Sequence, residues 1–197
     1  MYFGDTHLHT SYSVDAGAFG ARLAPRDAYV FAKGNEVTAS SGQPAKLRRP
    51  LDFLVVADHS DAMGFFPLIL AGTPEIMADP QGKKWHDMIK SGQGNAAALD
   101  IIGSFSNGTI SKAILPLPGT PAYISAWQDT IKAAEEANDP GRFTAFRVAE
   151  DYRTTWLAPQ RLLLFVQIAE PDDRWEATLR IDGKVVELKK AYSAVRA

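Results

Sequence analysis

Cysteine is absent from all 197 residues. That gap excludes disulfides, thiolate nucleophiles and thiolate metal ligands together, so any metal must be held by nitrogen and oxygen. Histidine is scarce, with 4 copies in the chain, at His7, His9, His59 and His86. A surplus of either charge is missing too: 21 basic residues face 23 acidic ones, for a net charge of -2. Without a basic footprint, nucleic acid is not an expected partner. No apolar run approaches a membrane span; the longest, LDFLVVA and RLLLFVQIA, have strand length, so no membrane association is expected. No secretory leader is expected either, since the chain opens on what reads as a strand.

What is present reads as an ordinary globular chain. Hydrophobic residues make up 46% and charged residues 22%, which suits one domain, or one with a small appendage. Residues 2–8 (YFGDTHL) read as a short strand running into a polar loop. Residues 25–33 (PRDAYVFAK) read as a helix with Pro25 at its start and Gly34 as its stop. A hairpin-like excursion around Ser41 and Gly42 follows. Residues 51–57 (LDFLVVA) are nearly continuous in apolar and β-branched types, the pattern of a strand buried on both faces of a parallel sheet.

The middle of the chain predicts helices. QGKKWHDMIKSG and NAAALDIIGSF are short candidates, and TPAYISAWQDTIKAAEEAND is the strongest, with Thr120 as its cap. Pro140 and Gly141 end it, and RFTAF (142–146) reads as the next strand. Strand, helix, strand, helices, strand over residues 1–150 predict an α/β layer fold with parallel strands. Residues 151–197 change character: RLLLFVQIA reads as a strand and WEATLRIDGKVVELKK as a hairpin turning at Asp182-Gly183. This region reads as a β-rich tail, either a small appendage of the domain or a foreign one.

His7 and His9 flank one residue, and alternate residues of an extended segment share a face. Asp58-His59 follows directly on the apolar strand 51–57. In α/β sheets and barrels, sites form where strands end at their carboxyl side, so both histidine clusters predict one pocket. Imidazoles suit Zn, Mn or Fe. Asp5 and Asp58, each near a candidate ligand, could orient an imidazole by accepting its second N–H, and Asp15 and Asp61 offer further carboxylates. His86, on a polar helical stretch, reads as a surface residue, and the (i, i+4) pair Trp127 and Ile131 as packing. No G-x-S-x-G nucleophile motif occurs, and GAFG (17–20) lacks a phosphate-cradling context. Metal-assisted hydrolysis is the one chemistry with several residues behind it.

These residues carry a resemblance. GDTHLHT followed by LDFLVVADHSDAMGF resembles the first two motifs of the PHP superfamily, the polymerase-and-histidinol-phosphatase phosphoesterases. The likeness is greatest to a bacterial branch whose members open with the text GDTHLHTSYS, and it spans roughly residues 2–150. The resemblance implies a distorted, TIM-like β/α barrel holding a cluster of divalent metal ions, Zn, Mn or Fe. It also implies hydrolysis of a small phosphoester by metal-bound hydroxide. On this mapping His7, His9 and His59 are metal ligands, and Asp58 is an acidic group that orients the catalytic site. RFTAFRVAEDY places Glu150 four residues after Phe146, the offset of a metal-bridging glutamate in the third motif.

The chain departs from the pattern further on, for no histidine follows His86, whereas the family supplies later histidines and an Asp-x-His. The expectation is therefore a partial barrel over residues 1–150, incomplete or inactive as this isolated chain. The alternatives are a metal-binding fragment without activity and an interaction module docking a partner through its tail hairpin. The compartment, bacterial cytoplasm or periplasm, and the oligomeric state are left open.

Overall fold

The computed structural model describes residues 2–147 and the backbone of residues 163–168, 175–181 and 184–187. It divides the chain into two compact units, Met1–Asp151 and Tyr152–Ala197.

The first unit is a mixed α/β layer built on three short parallel strands. β1 (Gly4–Leu8), β4 (Phe53–Val56) and β5 (Thr144–Arg147) lie in the order β1-β4-β5. Between β1 and β4 run helix α1 (Val14–Ala18), helix α2 (Pro25–Ala32) and a small antiparallel pair, β2 (Val37–Thr38) with β3 (Pro44–Ala45). Helix α2 starts on Pro25 and stops before Gly34, whose φ of +79° is the left-handed conformation that a side chain resists. Between β4 and β5 run α3 (Phe65–Ala71), α4 (Pro74–Ala78), α5 (Pro80–Lys90), α6 (Gly94–Ser106) and α7 (Pro121–Ala137). Thr120 caps α7 by accepting the N–H of Tyr123, one of the donors a helix start leaves unpaired. Among the described residues the sheet is open and no barrel closes.

Three apolar clusters hold the unit together. Leu54 and Val56 of β4 point at α2 and α7, where they pack with Tyr29, Ala133, Ala134 and Phe143. Phe53 and Val55, on the other face, are only half-buried. The expectation of a strand buried on both faces is thus corrected: helices cover one face, and alternation with period two returns. The second cluster is mostly helical, with Phe65, Phe66, Ile69, Ile76, Trp85 and Ile101 joined by Ala62, Ile110 and Ile114 from the connecting loops.

His86 lies on helix α5. It is half-buried, and its Nδ1 lies 2.7 Å from the Ile69 carbonyl at the end of α3. The ring caps a helix terminus whose carbonyls have no partner within the helix. Trp127 packs beside Met63 and Tyr123, as the reading of it as a packing residue implied.

In the second unit, β6 (Leu163–Ile168), β7 (Trp175–Ile181) and β8 (Lys184–Glu187) form an antiparallel sheet in that order. Ile181 pairs with Lys184, so the hairpin lies where it was expected. Its turn residues, Asp182 and Gly183, lie outside the described residues.

Candidate metal centre

The site begins with a defect in β1. Asp5 pairs with Leu54 and Leu8 with Val56, so three residues of β1 span two of β4. The surplus falls at Thr6 and His7, where Asp5 Oδ1 accepts the N–H of His7 at 2.8 Å. A bulge of this kind bends a strand and re-aims its side chains. After the bulge the sheet pairing ends with the N–H of Ala57 donating to the Leu8 carbonyl. His9 and His59 therefore leave adjacent strands at the same, carboxyl, end.

Two side-chain bridges tie the loops beyond that point. Asp58, fully buried, accepts from the backbone N–H of Thr10 and, at 2.7 Å, from the Thr10 hydroxyl. Burial pushes the Asp58 carboxyl above its ordinary range, and the two Thr10 hydrogen bonds oppose that shift. Ser13, also fully buried, accepts the N–H of His59 at 3.0 Å and donates to Asp15 Oδ1 at 2.6 Å.

The imidazoles then converge. His7 Nε2 lies 3.0 Å from His9 Nε2, and the His9 and His59 ring centres are 4.6 Å apart, edge to face. On its other side, His9 Nδ1 lies 2.9 Å from Asp15 Oδ2, which is itself 3.4 Å from His59 Nε2. His59 is 2% exposed, His9 half-buried and His7 exposed. Partial burial works against the Asp15 charge, yet the Ser13 hydroxyl, the Ala16 N–H and His9 outweigh it and lower its pKa to about 2. Asp15 is thus an anion at any ordinary pH.

His9, Asp15 and His59 can each offer one ligand atom, all within 4.8 Å of one another. Tetrahedral ligand bonds of about 2.0–2.2 Å set two donors on one zinc ion about 3.3–3.6 Å apart, so side-chain shifts of about 1 Å would close the group on a cation. Two imidazoles and a carboxylate, with no thiolate, suit Zn, Mn or Fe. The donor set fits.

The structure brings together His7, His9 and His59 of the expected ligands. It gives two expected orienting groups other tasks: Asp5 holds the His7 backbone rather than an imidazole, and Asp58 holds Thr10. The carboxylate on the His9 ring is Asp15, which the sequence offered only as a spare, and Ser13 was not singled out at all. The one available signal was their spacing, for S-x-D directly after a strand loop suits a turn in which hydroxyl and carboxylate bond locally. Glu150 lies outside the described residues.

Three parallel strands under helices, with imidazoles and a carboxylate gathered at their carboxyl ends, define an α/β protein with a candidate centre for a divalent cation. The chain belongs to the family described as a protein of unknown function (DUF3604), whose family model matches residues 1–159. The matched stretch contains His7, His9, Asp15, Asp58, His59 and Glu150. Searches of curated proteins and of solved structures returned no match.

Proposed function

We propose that the chain is a metal-dependent hydrolase of the PHP phosphoesterase type, with His9, Asp15 and His59 as cation ligands and His7 beside them. The observation that carries this reading is convergence: residues from two strand ends and a loop, separated by up to 50 positions in sequence, meet as one donor set. A bound divalent cation would neutralise phosphoester oxygens and lower the pKa of a water into the neutral range.

The chain's own residues prepare that centre. Asp15, ionised, lies 2.9 Å from His9 Nδ1, and His7 Nε2 lies 3.0 Å from His9 Nε2, so both ring nitrogens of His9 are held by polar neighbours. Asp58 anchors Thr10, and with it the backbone that carries His9; it is a positioning residue rather than a reacting one. Burial of His59 keeps bulk water from one side of the cluster.

The sheet suits the same reading, with β1, β4 and β5 as strands of a partial, distorted β/α barrel. Arg147 pairs with Val56, so Glu150 follows that pair by three residues of sequence, as His59 does. The count supports Glu150 as a further ligand.

The test is hydrolysis of p-nitrophenyl phosphate and bis-p-nitrophenyl phosphate after reconstitution with Mn²⁺ or Zn²⁺. Turnover that EDTA abolishes and His59→Ala removes is expected. A chain that binds the metal but cleaves neither ester would overturn the phosphoesterase assignment and leave a binding role.

A further inference from the structure

Ser13 sits where the two halves of the centre meet. Its single hydroxyl touches all three members of the candidate ligand group: it accepts from the His59 backbone at 3.0 Å, donates to Asp15 Oδ1 at 2.6 Å, and lies 3.4 Å from His9 Nδ1. A serine hydroxyl has one proton to give. The short contact commits that proton to the carboxylate, and the oxygen lone pairs are left for the His59 N–H. The bond therefore runs one way, from His59 through Ser13 to Asp15.

The Thr10–Asp58 bridge is different, because it joins backbone and carboxylate without touching a ligand atom. Ser13 instead acts on the ligands themselves. It donates to Asp15 Oδ1, which also accepts the Ala16 N–H, while Oδ2 lies 2.9 Å from His9 Nδ1 and 3.4 Å from His59 Nε2. It also holds the backbone N–H of His59, three residues past the end of β4.

We infer that Ser13 is a second positioning residue of the metal centre, its hydroxyl holding the Asp15 carboxylate and the His59 backbone in the register a shared cation requires. The inference rests on the metal-binding reading above and adds to it a group that is not itself a ligand. Loss of a group that orients metal ligands typically weakens metal affinity about 10–100-fold. Alanine at this position removes only one oxygen atom, so the space it leaves is small.

The experiment compares Zn²⁺ affinity in the wild-type chain, Ser13→Ala and Ser13→Thr by competition with a chromophoric chelator, beside thermal melts in EDTA. Expected is a Ser13→Ala chain that melts cooperatively without metal yet binds Zn²⁺ about 10–100-fold more weakly. The Co²⁺-loaded variant should show an altered visible spectrum, and Ser13→Thr, which keeps the hydroxyl, should recover most of the affinity. Wild-type affinity in a folded Ser13→Ala chain overturns the inference alone. Loss of the cooperative melt in metal-free Ser13→Ala also overturns it, by assigning Ser13 to the fold. A wild-type chain with no Zn²⁺ affinity removes the metal reading itself, and this inference with it.

Discussion

Asp15 and Asp58 are two carboxylates of one site with opposite electrostatics. Asp15 is 42% exposed and its pKa is lowered to about 2. A depressed folded pKa contributes stability that is fully present above the unfolded value of about 3.9 and is lost as pH falls through the folded value. Solvent screening keeps that contribution small at this exposure. Carboxyl ¹³C shifts of the metal-free protein should give an Asp15 midpoint near 2; a midpoint at the ordinary aspartate value would contradict the hydrogen-bonded arrangement. Asp58 is buried and shifted upward. Its ionised form is penalised in the folded state, so this group favours folding at low pH and opposes it as pH rises toward its shifted value. Removing the carboxylate leaves the Thr10 N–H and hydroxyl without their acceptor. Asp58→Ala should therefore destabilise the chain by about 1–3 kcal/mol in urea unfolding, the cost of leaving buried donors unsatisfied. An unchanged midpoint would show that the Thr10 bridge holds nothing.

At the scale of elements, β1 owes its course to two residues of its opening text. Gly4 pairs with Phe53, and a Cβ on Gly4 would lie 2.5 Å from the Phe53 ring and from its carbonyl oxygen. The ring could swing aside, but the carbonyl belongs to the sheet. Gly4→Ala should cost about 1–3 kcal/mol, as overpacking of a tight contact does, readable as a lower urea midpoint. Asp5 then makes the bulge that carries His7 toward His9. Such detail explains which parts were legible in sequence. Helix α2 announced itself through Pro25 and Gly34, α7 through Thr120 and its apolar spacing, and β4 through its β-branched run. Helices α1 and α4, of 5 residues each, are too short for a period to show. The text of α3, FFPLILA, is apolar throughout and reads as neither period. Its start and end are set by Gly64 and Gly72, both left-handed, and by packing of Phe65 against Trp85. At the site, imidazoles were legible because histidine is rare here and clustered. Ser13 and Asp15 were not, because their roles arise only when the loop folds back on His9 and meets the end of β4.

For the whole molecule, the candidate donor set lies within the first of its two units, Met1–Asp151. Binding there should be felt as global stability of that unit. A cation at 100 times its Kd adds about 2.7 kcal/mol to the folded state, which for a chain of this size raises Tm by about 5–10 °C. Zn²⁺ or Mn²⁺ should produce that rise and excess EDTA should reverse it; a Tm indifferent to both would count against a folded-state site. The most direct measurement is metal content by inductively coupled plasma mass spectrometry, on the purified chain and on His59→Ala. The account predicts near-stoichiometric Zn, Mn or Fe in the wild type and its loss from a His59→Ala chain that remains folded. Equal metal content in the two would contradict it, because the buried imidazole that joins β4 to the His9 and Asp15 loop would then have no part in holding a cation.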